Sequence, residues 1–285
     1  MPMNRNSAKE TQYSVLHTLH LFDSHCHLDD RSFFKDLAGT LQNARDAGVK
    51  RIMTVGVDLD SSQRAVELAE SNHGVYASVG VHPHDAKTCN RSVIEDLSRL
   101  AAKKSVRAWG EIGLDFNRMY SPRKDQETWF VQQIQAADSL GLPMIFHERD
   151  SVGRFLEILK SHFNPQRKGV VHCFSGNGAE LASYLDLGLY IGVTGIVTIK
   201  SRGAELRKLV SDIPLDRLVI ETDAPYLTPA PQKNKTRRNE PAFVKSVLLK
   251  LADVLQKDPM ELAKATTANA KRLFGIDSLE TGFTL

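Results

Sequence analysis

The chain is 285 residues long, with 37 Lys and Arg against 34 Asp and Glu, 41% hydrophobic residues and 25% charged ones. A chain of this length buries roughly three quarters of its unfolded surface and needs no disulfide scaffold, while a net charge of +3 is too mild to mark a protein dedicated to coating nucleic acid. Cys26, Cys89 and Cys173 are widely spaced with no CxxC pair, and no run of about 18 apolar residues occurs, which argues against a secreted disulfide framework or a membrane span and for the cytoplasm.

Residues 1–20 read as a flexible leader without the apolar stretch of a signal peptide. Eight strand-length apolar runs follow, at 21–25, 51–55, 75–81, 106–110, 143–147, 169–173, 189–193 and 217–222. The segments between them carry helical apolar spacing. Phe33, Leu37, Leu41 and Ala44 share a face after the first run, and Ala65, Val66, Leu68 and Ala69 after the second. Phe130, Ile134 and Ala137 precede the stop at Gly141, and Leu181, Tyr184 and Leu185 precede Gly188. After a polar loop at 229–240, two helices close the chain, one carrying Val244, Val247, Leu248 and Leu251, the other Leu262, Ala265, Asn269 and Leu273. Strands alternating with helices predict parallel strands joined by right-handed crossovers. Eight such units predict an α/β fold, a TIM (β/α)8 barrel, as a single domain over 21–285. A doubly wound open sheet is the alternative, because periodicity does not count strands around a ring.

In such a barrel the working groups stand at the C-terminal strand ends. That rule selects His25 and His27 on the first strand, His82 after the third, Glu111 and Asp115 after the fourth, His147 on the fifth, His172 on the sixth and Asp223 on the eighth. His25 and His27 are two apart, so both imidazoles face one side about 6.6 Å apart along the strand and can grip one ion, while Cys26 points into the core. Glu111 closes an apolar strand, where a bare charge is costly, and can bridge two cations; Asp115 and Glu221 are expected to stand behind the ligands. His147 and His172 make a natural pair for a second ion. Four histidines and two carboxylates suffice for two divalent ions, Mg²⁺ being expected and Mn²⁺ or Zn²⁺ also suiting such donors. A pair of ions can generate hydroxide and steady both oxygens of a phosphoryl transfer, with Asp223 positioning or deprotonating the water. The same inventory could open an amide, lactone or phosphotriester, and a non-catalytic metal-bearing barrel that binds nucleic acid or protein is a further alternative. Arg149 near the rim, Arg237 and Arg238 in the polar loop, and Tyr120 and Tyr226 as stacking surfaces favour nucleic acid. No GxGxxG or GxxxxGK[ST] motif occurs, so no nucleotide cofactor is expected.

The segments DSHCHLD at 23–29, SVGVHP at 78–83, GEIGLD at 110–115, HCFSG at 172–176, ETDAPYLTP at 221–229 and RRNEP at 237–241 together resemble the TatD family of metal-dependent deoxyribonucleases, collinearly from about Leu21 to Phe274. The resemblance implies a TIM barrel and a two-metal site that hydrolyses DNA phosphodiesters, often as a 3′ to 5′ exonuclease preferring single-stranded ends. It implies His25, His27, Glu111 and Asp223 at one metal, Glu111 shared with a second held by His147 and His172, and His82 near phosphate or solvent. No membrane partner is expected, and a monomer is favoured. The chain departs from the family in its leader and in Glu148, where a small Ser is common.

Overall fold

A computed structural model describes residues 19–230 and 232–276. Eight strands stand in chain order around one sheet: β1 (Leu21–Cys26), β2 (Val49–Val55), β3 (Val75–Val79), β4 (Val106–Asp115), β5 (Met144–Arg149), β6 (Gly169–Val171), β7 (Tyr190–Val193) and β8 (Leu218–Ile220). Every sequential pair is parallel. Helices α1 (Leu37–Asp46), α2 (Leu59–Ser71), α3 (Arg91–Ala101), α4 (Arg123–Leu140), α5 (Arg154–His162), α6 (Gly178–Asp186) and α7 (Ala204–Leu209) fill the crossovers, and α8 (Val244–Leu255) and α9 (Pro259–Phe274) complete the outer layer. The ring closes beyond the last residues of β8. The Asp223 N–H donates to the His25 carbonyl at 2.9 Å, the His27 N–H to the Ala224 carbonyl at 2.7 Å, and the buried Asp23 carboxylate takes the Thr222 N–H and hydroxyl.

Side-chain alternation along the strands divides the core in two. Phe22, Met53, Val55, Ala108, Ile145, Val170, Tyr190 and Val219 fill the barrel, whose floor is sealed by Leu273 and Phe274 of α9. The opposite strand faces, including Leu21, Ile52, Trp109, Phe146 and Ile191, pack beneath the helices. Both layers are buried, so strands in the sequence read as unbroken apolar runs.

Most strand boundaries shift by a residue or two from the sequence expectation, and three of the shifts have a local reason. The fourth strand continues to Asp115, paired with Arg149 of β5, so Glu111 and Asp115 lie on it rather than after it. β6 stops at Val171 because Cys173 turns into left-handed backbone at φ 48°. β3 stops at Val79, and Val81 is held instead by a side chain of α4. The expected leader over 1–20 lies outside the described residues as far as residue 18; Leu19 is fully buried in the core, and His20 accepts the Thr267 hydroxyl through its carbonyl. The last residues of the expected domain, 277–285, also lie outside the described residues. No described helix is long and apolar enough to cross a membrane.

Candidate metal centre

The C-terminal mouth of the barrel collects the histidines, and two strand irregularities aim them. Strict alternation from the inward Ala108 would turn Glu111 outward. The register of β4 against β5 slips between Trp109 and Ile112, so that three steps oppose two, and Glu111 faces in. The same slip occurs in β1 between Asp23 and Cys26, which turns His25 and His27 inward and sends Cys26 to the outer core layer. Glycine makes the approach of β4 to β5 possible: a Cβ on Gly113, at φ 148°, would stand 1.9 Å from the His147 carbonyl oxygen. Asp223 lies beyond β8 and leaves the alternation altogether. Its backbone is left-handed at φ 57°, a conformation Asp tolerates better than most residues, and this points the carboxylate at the centre of the mouth.

Glu111 is the hub, nearly fully buried, with each oxygen facing a different group of imidazoles. Oε2 is 3.3 Å from His25 Nε2 and 3.9 Å from His27 Nε2. Oε1 is 2.7 Å from His147 Nδ1, 3.6 Å from His82 Nε2 and 3.8 Å from His172 Nε2. Asp223 Oδ1 completes the first group, 3.4 Å from His27 Nε2 and 3.7 Å from both His25 and His172 Nε2. His25 and His27 bring their Nε2 atoms within 3.3 Å of each other.

The partners behind these rings orient them. His27 Nδ1 lies 3.1 Å from the Val55 carbonyl, so it carries the proton and Nε2 presents a lone pair. His172 Nδ1 is 2.9 Å from Glu221 Oε1, which also accepts the Cys173 N–H at 2.6 Å. Glu221 itself fits because residue 192 is glycine: a Cβ there would fall 2.6 Å from its carboxylate. His147 Nε2 is 3.3 Å from Asp115 Oδ2, an oxygen shared with His84 Nε2 at 2.8 Å. His82 differs, because its Nδ1 accepts the His84 N–H at 3.1 Å. A neutral His82 therefore carries its proton on Nε2 and is a hydrogen-bond donor toward Glu111, not an electron-pair donor.

Electrostatically the site is a closed exchange between imidazoles and carboxylates. Burial opposes ionisation of Glu111, but the facing His172, His25 and His82 hold its carboxyl well below the usual range. Burial also opposes charge on His147, yet hydrogen bonds to Asp115 and Glu111 raise it to about 9; His172 rises to about 9 against burial, chiefly through Glu221 and Glu111. The buried His82 is pushed well below its ordinary value by desolvation and by His147.

A cavity of about 850 Å³ opens over these groups. Arg149, Tyr120 and Tyr226 line it, both tyrosines being more than half exposed, with Tyr120 edge-on to His84 and Tyr226 edge-on to His27. Arg237 and Arg238, expected at the substrate, do not line it. Arg238 is consumed by Asp36 and Glu240 and by the Ser32 carbonyl, and its guanidinium lies over the Phe33 ring, so it ties the polar loop to the start of α1. Glu148 is spent on the Ser151 N–H and hydroxyl, where it steadies the turn into α5.

Sequence reasoning passed over two residues that set this geometry. Gln126 and Gln133 are seven apart on the buried face of α4. Gln133 Oε1 accepts the Val81 N–H at 2.7 Å and its Nε2 donates to the Val81 carbonyl at 2.9 Å, one residue before His82. Gln126 does the same for the backbone of Asp115, at 2.8 and 3.1 Å. The signal was present: two amides interrupt the apolar stripe that holds Phe130, Ile134 and Ala137.

A closed parallel barrel with imidazoles and carboxylates converging at its C-terminal mouth defines a hydrolase of the (β/α)8 class. Residues 22–275 match the model of the family described as TatD related DNase. The chain is 40% identical over 259 residues to the 3′-5′ ssDNA/RNA exonuclease TatD of Klebsiella pneumoniae strain 342, covering 90% of this chain and 98% of the relative. The Escherichia coli K12 protein of the same name is 40% identical over 258 residues, with 90% and 99% covered. The crystal structure of a TatD homologue from Escherichia coli K12 superimposes with a TM-score of 0.83 at 30% identity, over 90% of this chain and 98% of that one. The chain belongs to the TatD related DNase family.

Proposed function

We propose that this protein is a metal-dependent exonuclease that removes nucleotides from the 3′ end of DNA, with single-stranded ends as its preferred substrate. The observation that carries the reading is the division of Glu111, whose two oxygens serve two separate sets of donors.

The donor atoms fit divalent ions. Ligands at about 2.1 Å around a tetrahedral ion stand roughly 3.4 Å apart. His25 Nε2 and His27 Nε2 lie 3.3 Å from each other and 3.3 to 3.9 Å from Asp223 Oδ1 and Glu111 Oε2. Two buried imidazole nitrogens facing each other at 3.3 Å repel unless a proton or a cation lies between them. His25, His27, Glu111 and Asp223 would hold one ion, and Glu111, His147 and His172 the other. When bound, such ions supply an activated water and neutralise charge on the phosphate. The nitrogen-rich donor set suits Mn²⁺ or Zn²⁺ better than Mg²⁺, so all three belong in any assay.

The remaining work falls to this chain's own groups. Asp223, more exposed than Glu111 where both line the cavity, accepts the proton of the attacking water. His82 donates from Nε2 to a phosphate oxygen, Arg149 pairs with the charge of the phosphate, and Tyr120 and Tyr226 offer faces to an unpaired base. Asp115 and Glu221 keep His147 and His172 turned inward. End-labelled single- and double-stranded DNA, incubated with EDTA or with each ion, tests the proposal. Stepwise shortening from the 3′ end that EDTA abolishes and Asp223→Asn slows at least about a hundredfold is expected. An Asp223→Asn variant with full activity would remove that residue from proton transfer.

A further inference from the structure

A second cavity of about 690 Å³ opens beside the first, bounded by Ser175 and Gly178 at the start of α6 and by Ile196 and Leu209 beyond β7. The two cavities are continuous, sharing His147, His172 and Asp223 on the floor and Arg149, Arg202 and Leu227 at the neck. Its volume falls within the roughly 300–1,000 Å³ of small-ligand sites and is ample for a nucleotide.

Charge decides what the neck can pass. Arg149 and Arg202 make no ion pair among the described residues, whereas Arg154, Arg167, Arg217 and Arg238 are each matched to a carboxylate. Acids line the second cavity as well: Glu148 accepts from Ser151, Asp150 from the Asn117 amide and Glu180 from the Asn177 N–H, while Glu205 pairs with Lys208. The first cavity is lined by Asp29, which pairs with Arg64, and by Asp30, Asp85 and Arg118. A polyanion whose end lies over the histidines meets, at the neck, two guanidiniums that pair with no carboxylate among the described residues.

We infer that the second cavity is a binding subsite for the nucleotides preceding the cleaved one, and that Arg202, with Arg149, grips the phosphate joining the two cavities. The inference rests on the nuclease reading above. It predicts an enzyme that gains affinity as the strand lengthens past the terminal nucleotide. The competing exit runs over Arg118 and Tyr120, which line the first cavity alone.

The test uses 5′-fluorescein oligothymidylates from two to six nucleotides long, with phosphorothioate 3′ linkages to block turnover, bound to the Mg²⁺-loaded protein and followed by anisotropy. One charge-assisted phosphate contact corresponds to about tenfold or more in affinity, and its loss lowers the salt dependence by about 0.7 in log–log slope. Wild type should bind the tetranucleotide about tenfold more tightly than the dinucleotide. Arg202→Glu should weaken binding of every length about tenfold or more and lower the slope; Arg118→Glu should leave affinity and slope unchanged. A wild-type ratio near one, or a loss that follows Arg118 instead, would overturn the subsite. Unmodified oligonucleotides in the same panel separate the two claims: absence of any metal-dependent shortening counts against the nuclease itself, whereas shortening at rates independent of length counts against the subsite alone.

Discussion

Gln133 gives the sharpest test of how the mouth is held. Its side chain is about 1% exposed and satisfies three groups: the Val81 N–H at 2.7 Å, the Val81 carbonyl at 2.9 Å, and the Trp109 indole N–H at 3.3 Å. Gln133→Leu keeps the approximate volume and leaves all three buried without partners. At about 1–3 kcal/mol per stranded group, and with some relaxation, the loss should come to roughly 3–5 kcal/mol. That is a large share of the ~5–15 kcal/mol expected for a whole domain. Urea denaturation should show a lowered midpoint with an unchanged slope, and thermal melting a fall on the order of 10 °C. Gln133→Glu separates the donor from the acceptor. The carboxylate still accepts from Val81 and Trp109 but faces the Val81 carbonyl with a charge, so its own pKa must rise. A group whose folded pKa is raised contributes stability below its unfolded value and loses it as pH climbs through the folded one. Gln133→Glu should therefore approach wild type near pH 5 and weaken toward pH 8. Because Val81 precedes His82, activity at 25 °C should fall in Gln133→Leu even where circular dichroism shows the chain folded. A Gln133→Leu protein within about 1 kcal/mol of wild type and fully active would refute the clasp.

Other consequences follow from single contacts. Glu221→Gln keeps an acceptor for the Cys173 N–H but removes the charge facing His172, and should lower metal affinity or turnover about ten- to a hundredfold, read by metal titration. His25→Ala and His147→Ala should each lose a different ion, so elemental analysis should return about one equivalent fewer per chain in both. Phe146 is fully buried against Phe130, Phe155 and Phe163, and Phe146→Ala should cost about 3–5 kcal/mol in denaturant unfolding. Burial raises the Cys89 thiol from its ordinary value near 9 to about 12, so the folded state holds that proton more tightly. The stability this contributes is complete below pH 9 and is lost as pH rises toward 12; the loss between pH 8 and 10.5 should be smaller in Cys89→Ala than in wild type.

Much of the molecule is legible before any coordinates exist. Strands buried on both faces announce themselves as short apolar runs, because neither side can be polar, and helices covering them keep a three-to-four spacing. Chemistry-bearing residues at the ends of those runs follow from the one geometric rule that parallel barrels obey. His25 and His27, Glu111, His147, His172 and Asp223 are selected this way because each lies at or next to the end of an apolar run that the pattern marks, and the fold brings them to one mouth. Neither Arg237 nor Arg238 lines the cavity, and a basic run in a loop does not say which of its charges finds a carboxylate first: Arg238 pairs with Asp36 and Glu240.

The amino-acid order carries local information: which residues are apolar, how they repeat, and which reactive groups sit at each boundary. The facing of Glu111 depended on a one-residue slip against β5, since a bulge is defined only by the partner strand and leaves no periodic trace in its own. Whether His82 donates or ligates depended on the His84 N–H at its Nδ1. The amide clasps of Gln126 and Gln133 depended on loops 11 and 52 residues away in the chain. These contacts arise only when distant segments are brought together, and hydrogen bonds over a few ångströms, unlike hydrophobic periodicity, carry no signature along a single strand of sequence.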